Sequence, residues 1–133
     1  AYVSFKGLIL GGVSSRERDS HRLAPEEIPG ICSFVDSMAA EEGFHILLCH
    51  HPEYYMPCIR GRGIELTLSG HAHGGQVQIF GQGLYAPGQG ILPKFTHGFY
   101  DDRHLLVSRG MTNGASAPRW GNPCELILLT LRY

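Results

Sequence analysis

No apolar run in these 133 residues approaches the roughly 20 that a membrane-spanning helix needs, so no transmembrane segment is expected. Charge of either sign is scarce. Eleven Lys and Arg stand against twelve Asp and Glu, for a net charge of −1, which leaves no basic patch for nucleic acid or an anionic membrane surface. The opening AYVSFKGLILGGV is apolar but lacks a basic leader, which argues against a signal peptide. The chain starts at Ala1 without an initiator Met, as an excised domain or processed product would. Cysteine is sparse too: Cys32, Cys49, Cys58 and Cys124 show no CxxC spacing, which excludes a zinc ribbon or a thioredoxin-like motif. They are expected as small core residues and not as disulfides. At 43% hydrophobic content, the length suits one domain with one modest core.

What the chain has in quantity is glycine, eighteen residues, and histidine, eight. Residues 2–10 read as a strand, followed by the polar loop SSRERDSHRLAPEE. Over 29–42, Ile31, Phe34, Val35 and Met38 fall at helical spacing between an opening Pro29 and a terminating Gly43, which predicts an amphipathic helix. The run 46–49 in FHILLCH is apolar without alternation, as in a strand buried on both faces. A connection over 52–63, with a turn or two of helix interrupted at Pro57, leads to the strand IELTLS and then GHAHGG. Beyond it, QVQIF, GFYDD, HLLVSRG and ELILLTLRY read as short strands, with the Gly/Pro-rich loop GQGLYAPGQGILPKF after the first. The order favours an α/β or α+β domain on a mixed sheet.

Two apolar strands thus end in histidine, one at His50-His51 and the other at Gly70-His71-Ala72-His73. As parallel neighbours their carboxyl ends would lie about 5 Å apart, where ligand sites of open α/β sheets form. Imidazole is a common ligand for zinc, manganese and iron. The i, i+2 spacing of His71 and His73 points both rings one way from an extended chain. The plainer reading makes HAHGG a glycine-rich turn with solvated histidines, and the second His-ended strand weighs against it. Position does not separate His50 from His51.

The runs ILLCHHP and LTLSGHAHGGQ resemble the last two metal motifs of the calcineurin-like metallophosphoesterase superfamily: a strand ending in a lone His shortly before Pro, then a strand ending in Gly-His-x-His. The tail LLVSRGMTNGASAPRW and the terminal CELILLTL are similar to one branch of bacterial members, and the resemblance covers roughly residues 44–133. It implies an α/β fold, the C-terminal half of a four-layer αββα sandwich with mixed sheets. It also implies hydrolysis of a phosphate mono- or diester at a binuclear site of two divalent transition metal ions (Mn, Fe or Zn). His50 and His71 would ligate one metal and His73 the other, since the family places the ligand first in the His-His pair. His51 would be a loop residue beside the site.

The upstream family motifs, Asp-x-His, Gly-Asp-x-x-Asp and Asn-His, do not occur in order. Asp19-Ser20-His21 has the right letters in a polar loop, and Gly121-Asn122-Pro123 has proline where histidine belongs. Residues 1–133 are therefore expected to be a single partial domain, inactive alone, holding at most one metal weakly. Such a fragment would associate with itself or with a missing N-terminal half. The alternative is a non-enzymatic metal-binding fragment that uses His50, His71 and His73 and assembles with other chains. Asn113 and Arg119, in a Gly-rich loop, are candidates for binding a phosphate ester substrate. Tyr54 and Tyr55 are expected to pack, and Glu65 to be an edge or surface carboxylate. Residence, cytoplasmic or membrane-associated, is left open.

Overall fold

Lys6 and Gly7, with φ of 49° and 79°, make a two-residue turn of the left-handed kind that closes tight hairpins. The computed structural model, which describes residues 1–14, 24–112 and 118–132, therefore divides the expected strand over 2–10 into two. These are β1 (Tyr2–Phe5) and β2 (Leu8–Val13), paired antiparallel. A single helical turn, Pro25–Glu27, leads into α1 (Ile28–Ala39), which carries Pro29 in its first turn. The helix ends as Ala40 N–H donates to Asp36 O, and Arg62 pairs with Asp36 at 2.7 Å on its outer side.

β3 (Phe44–Cys49) and β4 (Leu66–Ser69) follow, separated by one-turn helices Pro52–Tyr54 and Tyr55–Ile59. Then come β5 (Gln78–Ile79), β6 (Gln82–Gly83), β7 (Tyr85–Ala86), β8 (Gly90–Ile91), β9 (Gly98–Tyr100) and β10 (Leu105–Val107). The main sheet has six strands in the order β1-β2-β3-β4-β10-β9. Its four central strands run parallel and its two edges antiparallel. The chain is thus α/β with a mixed sheet. β5, within the expected strand QVQIF, pairs with β6 at the start of the expected Gly/Pro-rich loop, and the same loop holds a second small ribbon, β7-β8.

One face of the sheet is covered. Ile9, Leu47, Cys49, Leu105 and Val107 pack there with Val35 and Met38 of α1 and with Tyr54, Tyr55, Cys58 and Ile59 from the connection. Each large apolar side chain buried in this way contributes roughly 1.5–3 kcal/mol. Tyr55 Oη donates to Asp101 Oδ2 at 2.6 Å, and Arg60 donates to both oxygens of Asp101 at 3.1 Å, tying the connection to the β9–β10 turn.

The other face differs from the expectation that β3 is buried on both sides. Leu48 and Phe44 are 45% and 43% exposed, while Ile46, Leu66 and Leu106 cluster with Leu8, Leu10, Leu68 and Leu129. The strands are apolar on both faces, but among the described residues only one face has a layer of helix over it. β3 and β4 lie inside the sheet, so their exposure is on this face and not along an edge.

Residues 125–132 of ELILLTLRY form no strand, although they read as one. The segment is apolar and alternating enough for pairing, yet Leu126 and Leu128 are 85% and 92% exposed and the backbone has no ladder partner among the described residues. A strand needs an edge to join, which local composition does not supply. The cysteines are free; Cys49 and Cys58 are core residues and Cys32 is half-buried, but Cys124 is exposed, contrary to expectation. Among the described residues, no helix is long and apolar enough to cross a membrane.

Candidate metal centre

β3 and β4 are parallel neighbours, with Leu48 beside Leu68, so their carboxyl ends meet. Hydrogen bonds seal the junction: the backbone N–H groups of Gly70 and His71 both donate to His50 O, at 3.1 and 2.9 Å, and the Ser69 hydroxyl donates to Cys49 O at 2.6 Å. His50 and His71 leave these strand ends with His50 Nε2 3.2 Å from His71 Nδ1. At that distance one nitrogen donates to the other, or both aim lone pairs at one cation.

His51 is part of the same cluster and is no loose loop residue. It is buried, its ring lies 4.0 Å from that of His71 between centroids, and it stacks on Tyr54. His51 Nδ1 is 2.9 Å from Glu53 Oε1, which leaves Nε2 as the lone-pair nitrogen when Nδ1 donates. One ligand atom from each of His51, Glu53 and His71 lies within 4.8 Å of the others. Glu53 Oε2 is buried without a hydrogen-bond partner among the described residues, as is His73 Nδ1. Two or three imidazoles and a carboxylate with unmet acceptors fit a divalent transition ion.

The His71–His73 pair does not sit on an extended chain. Ala72 is helical in φ and ψ and fully buried, and His73–Gly75 forms a one-turn helix in which His73 has φ of 46°. Burial pushes the His50 imidazole below its ordinary pKa, and His51 and His73 push the same way against a smaller opposing pull from Glu53. Burial and then the Arg119 charge likewise lower His73. Both effects keep the rings neutral and their lone pairs available at pH 7.

Arg119 does not reach out as a free phosphate clamp. Its Nη2 donates to Arg109 O at 2.5 Å and Thr112 O at 2.6 Å, and Nη1 is buried with no hydrogen-bond partner among the described residues. Asn113, Asp19 and His21 lie outside the described residues. Tyr54 and Tyr55 pack in the core, and Glu65 binds His45 Nδ1 at 2.9 Å. A cleft of about 610 Å³ opens beside His50, lined by Gly12, Val13, Leu48, Leu68 and Gly70.

Sequence reasoning missed His51 and Glu53 as a unit. Their only signal is HisProGlu directly after the strand, where Pro52 starts the one-turn helix that brings Glu53 back toward His51.

No family model and no solved structure matches the chain. Over 91 residues, 68% of its length, it is 32% identical to the uncharacterized protein YpbG of Bacillus subtilis (strain 168). The match covers 32% of that protein, so the chain spans about a third of the length of the curated relative it matches.

Proposed function

We propose that the chain is the C-terminal half of a calcineurin-like metallophosphoesterase domain, and that the parent protein hydrolyses a phosphate mono- or diester. In this reading the six-stranded sheet is one of the two sheets of an αββα sandwich. The observation that carries it is the approach of His50 Nε2 and His71 Nδ1 to 3.2 Å at the carboxyl ends of adjacent parallel strands, with His73 one turn further on.

His50, His71 and His73 would hold the metal as neutral imidazoles. Divalent ions there would supply Lewis acidity toward a phosphoryl oxygen and lower the pKa of a water. The protein's own part is to fix ring orientation through the sealed strand ends and the His51–Glu53 bond, and to keep His50 and His73 unprotonated by burial. Arg119 adds positive charge beside His73. Motifs for a bridging carboxylate and a general acid are absent from the sequence, so this half alone should bind metal but not turn over.

A second reading is favoured by the His51–Glu53–His71 group: a single ion held by two imidazoles and one carboxylate, in a non-enzymatic fragment. Zinc titration followed by calorimetry separates the two. On the phosphoesterase reading, His50→Ala and His71→Ala abolish zinc binding while Glu53→Gln weakens it about tenfold. Loss with Glu53→Gln but not His50→Ala would favour the second reading. Hydrolysis of an aryl phosphate diester with Mn²⁺ added should be no faster than that of His71→Ala. Chelator-sensitive turnover lost on that substitution would show that this chain already holds a complete site.

A further inference from the structure

Four successive residues after Ala72 have positive φ: His73 at 46°, Gly74 at 66°, Gly75 at 77° and Gln76 at 60°. Glycine takes this conformation freely, but His73 and Gln76 carry side chains and are strained in it. They persist where the surroundings over-determine them.

The restraint here comes from far along the chain. Asn122, buried at 4% exposure, donates from Nδ2 to His73 O at 2.7 Å and to Gln76 O at 3.1 Å. One amide thus brackets the left-handed turn at both ends. Its plane lies so close over Gly74 that a Cβ there would collide with the amide group. The flanking backbone adds to the strap: Trp120 N–H donates to Gln76 O at 3.4 Å, and Gln78 N–H donates to Trp120 O at 2.8 Å.

Only a short planar side chain with two N–H donors on one nitrogen can make this bracket. Aspartate has the shape but no donor, and serine has a single donor. Because His73 takes its backbone angle from the bracketed turn, the direction of its imidazole depends on Asn122.

We propose that Asn122 is the positioning residue of the metal centre, fixing His73 so that its ring joins those of His50 and His71. The proposal rests on the reading of those three histidines as metal ligands.

Cobalt is the probe, because its visible absorption reports coordination as well as occupancy. Co²⁺ is titrated into the 133-residue chain, its Asn122→Asp and Asn122→Ala variants, and Cys124→Ser as a neighbouring control. Both Asn122 variants should bind Co²⁺ about tenfold or more weakly, with a changed absorption band, while the control matches the wild type. Variants that fold and bind like the wild type would overturn the proposal. So would faster exchange of the Gly75 and Gln76 amides in the variants with cobalt affinity unchanged, since Asn122 would then brace the turn without positioning a ligand. A wild-type chain that binds no Co²⁺ would instead remove the metal reading, and the positioning role with it.

One measurement needs no variant. The Gly75 and Gln76 amides donate to Ala72 O at 2.7 Å and His73 O at 3.2 Å. Co²⁺ bound through His73 should slow their exchange in the wild type, and bound Co²⁺ that leaves both unchanged would count against the coupling of turn and ligand.

Discussion

His45 and Glu65 stand at the opposite end of β3 and β4 from the imidazole cluster, and they join elements there as His50 and His71 do at the other. Glu65 Oε2 accepts from His45 N at 2.7 Å and contacts His45 Nδ1 at 2.9 Å, while His45 Nε2 meets Glu41 O at 3.0 Å. One buried ring thus links the end of α1 to two strands. Burial alone would raise the Glu65 pKa, but the backbone and ring bonds from His45 together outweigh it and hold the carboxyl below its ordinary range. A depressed folded pKa means stability that is present above the unfolded value, about 4.3, and lost as pH falls through the folded value. Glu65→Gln should therefore destabilise the chain by about 1 kcal/mol at pH 7, a modest figure because the side chain is 40% exposed. The difference should shrink toward zero as the pH falls below about 4. Urea melts of both chains from pH 7 to pH 3 check this, and a gap that stays constant would mean that the carboxylate charge plays no part.

β3 shows at the level of the element what side-chain alternation decides. Leu47 is fully buried beneath α1, whereas its neighbour Leu48 points to the open face at 45% exposure. Leu47→Ala should cost about 2–5 kcal/mol, and Leu48→Ala below about 1 kcal/mol, in thermal or urea unfolding. Equal losses would mean that both faces are covered. The sequence made β3, β4 and α1 legible because run length and 3.6-residue spacing are local signals. It could not show which face of an all-apolar strand has a cover, since no polar residue marks the outside. The β1–β2 hairpin was hidden because Lys6-Gly7 interrupts an apolar run without lowering its strand character. ELILLTL read as a strand for its composition, but pairing is a property of two segments, and it is paired with no strand among the described residues. The same division runs through the candidate site. His50 and His71 follow the ends of β3 and β4 as the sequence order suggests, whereas the one-turn helix that carries His73, the His51–Glu53 bond and the reach of Asn122 over 46 residues depend on how the chain returns on itself.

For the whole molecule, the uneven covering of the sheet has a consequence in solution. Leu8, Leu10, Leu48, Leu68 and Phe44 share the uncovered face, around a cluster of Ile46, Leu66 and Leu106. Among the described residues, Leu129 packs on that cluster from outside the sheet, and its neighbours Leu126 and Leu128 are almost fully exposed. Large exposed apolar patches are uncommon on monomers, and the exposed Leu48 and Phe44 are the reason to test this face for association. The strongly exposed tail and the uncovered face are both parts of this chain, so two copies could each supply what the other lacks. We expect a dimer through this face, for which about 800 Å² buried per partner would be an interface of ordinary size. A two-fold arrangement would place each tail against the partner's sheet. Light scattering at micromolar concentration should give twice the monomer mass. Leu48→Lys with Leu68→Glu should return the chain to a monomer with its far-ultraviolet spectrum unchanged, because neither residue belongs to the helix-covered core. A wild-type monomer that binds no hydrophobic dye would mean that the tail already covers the face within one chain. A dimer that survives both substitutions would place the contact elsewhere, with the exposed edge strand β1 and its Val3 and Phe5 the next surface to change.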